Sequence, residues 1–324
     1  MIGSRQLRVT PVFDSYWRFA RARHDVYENR VAGTPGPWTQ DPVLQEFRFT
    51  NAFRAADRVS QALLRVQREG SNDPYEVLFR TMLFRFFNKP ETFTLLTEWV
   101  GATPSWQTFD ARTYDALLGA YLSAGHRLYS PAYIIPSPPF GHPRKHQNHL
   151  ALLQHVMSGD RADALVQSRS LRSLYALLVE LPGLGPFLAF QLAVDLGYAA
   201  PWALDESEFV VAGPGAASGI RKCFTDTAGL GAADVIRWMT DVQHEQFEAR
   251  GLAPVTLFGR PLQLIDCQNL FCETDKYARV MHPTVSGVGH RLRIKQRFVA
   301  AGAVASPTFP THWGLILAKQ QPVG

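Results

Sequence analysis

Several groups of residues carry side chains or backbone able to do chemistry. Leu181-Pro182-Gly183-Leu184-Gly185-Pro186 holds two glycines, which allow a tight turn and let backbone approach another molecule with no Cβ in the way. Pro186 suits the first turn of a helix, where the N–H that proline lacks would have had no intrahelical partner. The free N–H groups beside it would then face outward as an anion site. Turn residues of this kind also join ordinary buried helical hairpins. Asn51, Arg54 and Arg58 are spaced so that one helical face would present all three. That face could read a base, a sugar hydroxyl or a phosphate, or be a solvated stripe on which Asp57 pairs with both arginines. Glu273 and Lys276 share a face by the same rule, as an acid–base pair or a structural salt bridge. From His290 to Arg297 the chain gathers Arg291, Arg293, Lys295 and Arg297, either a solvated charged face or a groove that neutralises DNA phosphates.

The elements that must position these groups read as helices. Ser170 can cap a helix with apolar positions Leu171, Leu174, Tyr175, Leu178 and Leu181. A second helix runs from Pro186 through Phe187, Leu188, Phe190, Leu192 and Leu196 to Gly197, a residue suited to a left-handed cap. Phe13, Tyr16, Trp17, Ala20 and Tyr27 form one face of an N-terminal helix. Helical patterns also cover Val43 to Arg68, Tyr75 to Phe87, Tyr114 to Ser123, Gln147 to Met157 and Ala232 to Glu248. Prolines 131, 136, 138, 139 and 143 break this style. They suggest an N-terminal helical lobe over 1–129, a linker over 130–145, and a hairpin-bearing lobe over 146–324.

Composition sets the outer bounds. A chain of 324 residues, 46% hydrophobic, can bury a sizeable core in one large or two modest domains. No run reaches the length of a membrane span and the first residues lack an apolar signal segment, so a cytoplasmic location is expected. The net charge of +5 permits nucleic-acid binding without requiring it. His142, His146, His149 and His155 invite a metal reading. Their segment begins in a Pro-rich loop and no acid or cysteine completes a site, so no metal is expected. Gly213-Pro214-Gly215 is too short for a phosphate-binding loop, and no P-loop or dinucleotide motif occurs, which argues against a kinase centre.

The hairpin with Asp205, 22 residues beyond Gly183, resembles the helix-hairpin-helix superfamily of DNA glycosylases, in which a Leu-Pro-Gly-x-Gly turn precedes the catalytic aspartate by a little over twenty residues. The resemblance implies an all-α fold with an active-site cleft between two helical lobes. It implies that Asp205 stabilises positive charge on the sugar as the base leaves, and that Gly183, Leu184 and Gly185, with Lys222 and the basic run, hold DNA. Asp205 also reads as the cap of a helix, with Glu208 three residues on. Schiff-base members carry lysine where this chain has Phe187, and cluster-bearing members need four cysteines where this chain has Cys223, Cys267 and Cys272. A monofunctional enzyme without cofactor is the implication.

A narrower resemblance runs through Val12–Ala20, Pro37–Glu46, Phe49–Gln61, Ala212–Ala216 and Gln268–Tyr277. These phrases are similar to DNA base hypermodification proteins and to the helical domain associated with 5-hydroxymethyluridine DNA kinases. Some members are thought to build a modified pyrimidine, displacing pyrophosphate from an activated hydroxymethyl base with an amino acid or amine. Others, the Brig-type phage-defence glycosylases, excise glucosylated 5-hydroxymethylcytosine. Superfamily chemistry favours excision for a chain that retains Asp205. The expectation is a DNA glycosylase that flips a hypermodified pyrimidine out of double-stranded phage DNA and leaves an abasic site. Trp17, Asn51, Arg54, Arg58, Gln268 and Asn269 are candidates to line the base pocket. The alternatives are the amine transferase, for which Glu273 and Lys276 would handle the amine, and a non-catalytic DNA-binding module.

Overall fold

The computed structural model describes residues 7–131, 133–289, 291–300 and 306–316. It is mostly helical, as expected. A short strand β1 (Arg8–Val9) leads into α1 (Pro11–Val31) and α2 (Pro42–Glu46), followed by a 3-10 turn at Arg54–Ala56. Then come α3 (Arg58–Arg68), α4 (Pro74–Phe87), α5 (Pro90–Val100), α6 (Ala111–Ser123), α7 (Lys145–Met157), α8 (Asp160–Gln167), α9 (Leu171–Val179) and α10 (Pro186–Gly197). The rest holds α11 (Pro214–Cys223), β2 (Phe224–Asp226), α12 (Ala232–Asp241), α13 (Gln243–Glu248), β3 (Thr256–Leu257), β4 (Arg260–Pro261) and α14 (Leu264–Met281). β1 pairs antiparallel with β2, and β3 with β4.

The chain divides into two units. One joins the chain up to Asp57 with the stretch from Val210 to Pro307 and the end of the chain from Gly314; the other comprises Arg58–Phe209 and Thr308–Trp313. The main divisions thus fall at 57/58 and 209/210. The Pro-rich passage over 130–145 lies inside the second unit, where Ile135 is buried and a Cβ on Gly183 would sit 3.4 Å from Pro138.

In the first unit α14 is the central element. Thr10 caps α1 by accepting the Val12 N–H at 3.1 Å, and Pro11 starts the helix. Phe13, Tyr16, Trp17, Ala20 and Tyr27 are all buried, the face read from the sequence. Tyr16 meets Phe271 of α14 with ring centroids 4.8 Å apart. On another side α11 approaches α14 so closely that a Cβ on Gly219 would lie 2.0 Å from the Phe271 carbonyl oxygen, and one on Gly215 2.3 Å from Cys272 Sγ. The glycines of this helix serve backbone contact between helices. In the second unit α4 is the core helix, its Phe79, Phe84, Phe86 and Phe87 buried.

The expected helix from Val43 to Arg68 is broken. α2 ends at extended Phe47, and α3 begins only at Arg58. Between them Asn51 donates its side-chain amide to the Ala56 carbonyl at 2.6 Å, and its N–H to Asp57 Oδ1 at 2.7 Å. Such side-chain bonds compete with the helical ladder. The stretch from Ala232 to Glu248 is likewise two helices, divided at Val242. No helix among the described residues is long and apolar enough to cross a membrane.

Candidate functional site

The glycine hairpin forms as the sequence dictates. Ser170 Oγ accepts the Ser173 N–H at 3.1 Å and Ser173 Oγ accepts the Ser170 N–H at 3.2 Å, a reciprocal cap that starts α9. Leu171, Leu174, Leu178 and Leu181 are buried. Gly183 turns the chain with φ +84°, a conformation costly to any residue with a Cβ. Leu184 is buried and fixes the turn from inside. Gly185 then caps α10 in extended backbone at φ −77°, and among the described residues no side-chain cap bonds the first N–H groups of that helix. Gly185 and Pro186 are exposed, and a Cβ on Gly185 would meet nothing within 4 Å. The positive end of α10 therefore opens to solvent, a geometry suited to a phosphate oxygen. Gly197 does end the helix, but the following Tyr198 is right-handed at φ −72°. Gly197 instead sits where space is tight: a Cβ there would lie 3.0 Å from Leu171 Cδ2, a side-chain end that would have to shift slightly.

Behind the hairpin lies a polar anchor that sequence reasoning missed. Asp195 on α10 is fully buried and meets Arg85 Nε of α4 at 2.6 Å. Gln67 of α3 donates to the Asp195 carbonyl at 2.8 Å. Arg85 also lies over the Tyr133 ring at 5.5 Å, and Tyr133 stacks on Phe187 with centroids 5.9 Å apart. Phe187 is thus an aromatic packing residue. A signal was available: single charges inside the apolar runs Leu83-Phe84-Arg85-Phe86-Phe87 and Leu192-Ala193-Val194-Asp195-Leu196.

Asp205 lies in the loop after α10. The expected helix start does not form, because the Asp205 carboxylate accepts the Ser207 N–H at 2.8 Å and the Ser207 hydroxyl at 2.7 Å, closing a local turn. The loop is held on either side. Trp202 Nε1 donates to the Leu165 carbonyl at 2.9 Å, and Phe209 packs against Tyr175 and under the Arg172 guanidinium at 4.7 Å. Asp205 itself is exposed. A carboxylate facing water acts far more weakly on a nearby charge than one in a dry cleft.

In the first unit most candidates prove to be interior residues. Trp17 is wholly buried among Phe13, Tyr16 and Phe247, and Gln268 and Asn269 are buried on α14. Arg54 is buried, and its N–H donates to Asp266 Oδ1 at 2.8 Å. Asn51, Arg54 and Arg58 do not share a helical face, since they occupy a loop, a 3-10 turn and the first position of α3. Nor does Asp57 form helix pairs with the arginines. It takes the Asn51 N–H, and burial pushes its carboxyl up to about 6. Glu273 accepts the Thr50 N–H at 2.9 Å and the Lys276 ammonium at 2.8 Å, while Lys276 lies 4.5 Å from the Phe49 ring centre. This pair ties the loop at residues 49–51 to α14. Lys222, taken from sequence as a DNA contact, is buried with its ammonium 3.2 Å from Asp275 Oδ1 and bonded to the Asp275 carbonyl at 3.0 Å.

The basic segment is a surface strap. His290 lies outside the described residues. Arg291, Arg293, Lys295 and Arg297 are exposed, and buried Ile294 anchors the stretch. Arg48 N–H donates to the Gln296 carbonyl at 3.0 Å and Phe298 N–H to the Glu46 carbonyl at 2.9 Å, with Arg297 paired to Glu46. The histidines disperse. His146 Nε2 meets Asp115 at 2.8 Å, and His149 sits between the Tyr129 hydroxyl at 3.0 Å and the Pro136 carbonyl at 3.1 Å, where burial pushes its pKa down to about 4. Among the described residues no three His, Cys, Asp or Glu side chains are grouped to hold a metal ion.

Comparison with known proteins supplies the wider setting. Residues 10–287 match the model of the family described as 5-hmdU DNA kinase, helical domain. A 5-hmdU DNA kinase of Bacillus phage SP10 is 27% identical over 292 residues, covering 82% of this chain and 45% of that protein. The chain thus spans about half the length of the curated relative it matches. No solved structure matches. These findings overturn the expectation of a monofunctional glycosylase, because family and relative carry the name of a kinase, a group-transferring enzyme, and not of a base-releasing hydrolase.

Proposed function

Because the chain belongs to the 5-hmdU DNA kinase helical-domain family, we propose that it takes part in DNA base hypermodification. In this reading it binds DNA whose 5-hydroxymethyluracil carries a diphosphate, and transfers an amine or amino acid to that base. The amine nitrogen attacks the exocyclic carbon, the carbon–oxygen bond to the diphosphate breaks, pyrophosphate leaves with the electron pair, and the amine loses a proton to solvent. The observation that carries the reading is the family match along residues 10–287. The open end of α10 at Gly185 supplies a place for the DNA backbone, with the phosphate approaching the exposed N–H groups. Asp205, exposed on the same unit, is the carboxylate we assign to steady the incoming ammonium group before it gives up its proton.

The test incubates the protein with DNA carrying pyrophosphorylated 5-hydroxymethyluracil and a panel of amines and amino acids. A base heavier than 5-hydroxymethyluracil itself by the amine minus water, formed with release of one pyrophosphate, is the expected result. DNA binding without a product would leave only a DNA-binding module, and no binding at all would remove both. Gly185→Ala sharpens the backbone contact. With nothing near its Cβ, it should cost at most about 1 kcal/mol of stability, yet weaken DNA binding by crowding the phosphate. Unchanged DNA affinity would take the hairpin out of the interface.

A further inference from the structure

A cavity of about 340 Å³ opens in the second unit where α4 passes into α5, and Arg58, Lys89, Glu91, Arg127, Tyr129 and Ser130 are among its lining residues. Asn88 makes the junction. It takes the left-handed conformation at φ +50° and returns its N–H to the Phe84 carbonyl at 2.7 Å, so that Lys89 and Pro90 start the next helix. The opposite wall is stapled across this corner. Lys89 Nζ donates to the Arg127 carbonyl, Thr92 Oγ1 to the Leu128 carbonyl at 2.8 Å, and Ser130 N–H to the Phe87 carbonyl at 3.1 Å. The concavity is therefore held by one backbone–backbone bond and two side-chain bonds to backbone carbonyls.

Its charge is unbalanced. Three cations, Arg58, Lys89 and Arg127, face one carboxylate, Glu91, and Arg58 meets Glu91 at 3.3 Å. Arg127 is exposed, and its guanidinium makes no hydrogen bond or ion pair among the described residues. α5 begins here with no side-chain cap, so its positive end adds to the field. Partial burial alone would raise the Glu91 carboxyl, but its own N–H, Arg58 and Lys89 outweigh that and hold it below the usual range. One anion is thus already stabilised at this corner, with positive charge to spare.

We propose that this cavity is an oxyanion pocket that binds a phosphoryl group between Arg127, Lys89 and Arg58. A guanidinium fork pairs bidentately with phosphate as it does with carboxylate, and a phosphoryl group has oxygens and charge enough to engage all three cations at once. The volume is at the lower end for small-molecule sites, which suits a phosphate or diphosphate with its waters and not a whole nucleotide. The phosphoryl group can come from the DNA backbone or from soluble phosphate or pyrophosphate. The proposal rests on the cavity itself and stands or falls separately from amine transfer.

The experiment titrates the full chain with inorganic phosphate, with pyrophosphate and with duplex DNA by calorimetry, comparing wild type with Arg127→Gln and Arg58→Gln. Both side chains are exposed, so melting temperature should stay unchanged in the variants and reports that folding is intact. Saturable pyrophosphate binding that weakens about five- to tenfold in each variant identifies a soluble anion as the ligand. If instead DNA affinity falls in the variants, with the slope of log affinity against log salt shrinking by about one per lost contact, the pocket holds a backbone phosphate. Phosphate, pyrophosphate and DNA affinities all unchanged in both variants would overturn the proposal, as would an absence of binding to all three by wild type.

Discussion

The pair formed by Arg85 and Asp195 offers the sharpest test of how the hairpin is held. Asp195 has no solvent exposure and Arg85 only 6%, at an Nε–Oδ2 separation of 2.6 Å. Asp195→Asn removes one charge and leaves a guanidinium in the interior of the second unit. Breaking a buried pair from one side costs about 3–5 kcal/mol, because the remaining charge stays desolvated without its counter-ion. Gln67 binds the Asp195 carbonyl, not its carboxylate, so that contact survives and does not inflate the figure. In a unit of about 150–250 residues each kcal/mol moves the melting temperature by roughly 2–4 °C, so the substitution should lower it by about 6–20 °C. Replacing both residues, as in Arg85→Met with Asp195→Leu, should recover most of the loss, since a well-packed apolar pair is often neutral against an ion pair. Thermal melts and urea titrations of wild type, the two single variants and the double variant complete the cycle. A loss below about 1 kcal/mol in Asp195→Asn would refute the reasoning, and so would a double variant as unstable as the sum of the singles.

Two further outcomes follow from the geometry. Gly219→Ala forces a Cβ to within 2.0 Å of a carbonyl oxygen on α14, backbone that cannot swing aside, so a loss near the top of the usual 1–3 kcal/mol range for overpacking, about 3 kcal/mol, is expected in urea titrations; wild-type stability would disprove the close approach. His149 is neutral in the fold with a pKa pushed down to about 4 from 6.5, chiefly by burial. Its contribution is therefore complete above pH 6.5 and is lost as pH falls toward 4, on the order of 3 kcal/mol over that window. His149→Gln should flatten the dependence of stability on pH between 4 and 7, and an unchanged slope would rule the residue out.

The local parts of this structure were legible in the sequence. The hairpin was readable because its signals are short-range: a capping serine, a positive-φ glycine and a proline at the first turn. The aromatic face of α1 was readable from its period. The polar interior of α14 was not. Asp266 is satisfied by Arg54 N–H and Asp275 by Ser218 Oγ, groups far away along the chain, so from sequence alone each carboxylate looks like a solvated charge. The Pro-rich passage misled for a related reason. Proline signals an end to regular helix, but fixed backbone also packs well, and here Pro136 and Pro138 lie against His149 and Gly183. The carboxylate at Asp205 was found by spacing, whereas its exposure depends on which loops cover it.

The first unit draws its helices from two widely separated stretches of the chain, and this shapes how the protein can be made. A nascent α1 leaves the ribosome with Phe13, Tyr16 and Trp17 uncovered, and Phe271, which shields Tyr16, is translated roughly 250 residues later. At about 5–20 residues per second that is a wait of roughly 10–50 s. Within it the intervening helices can assemble, while an oily aromatic stripe stays open to chaperones or to other unfinished copies. Expression yield should therefore respond to chaperone supply more strongly than the stability of the finished protein would suggest, and fragments ending before α14 should be insoluble.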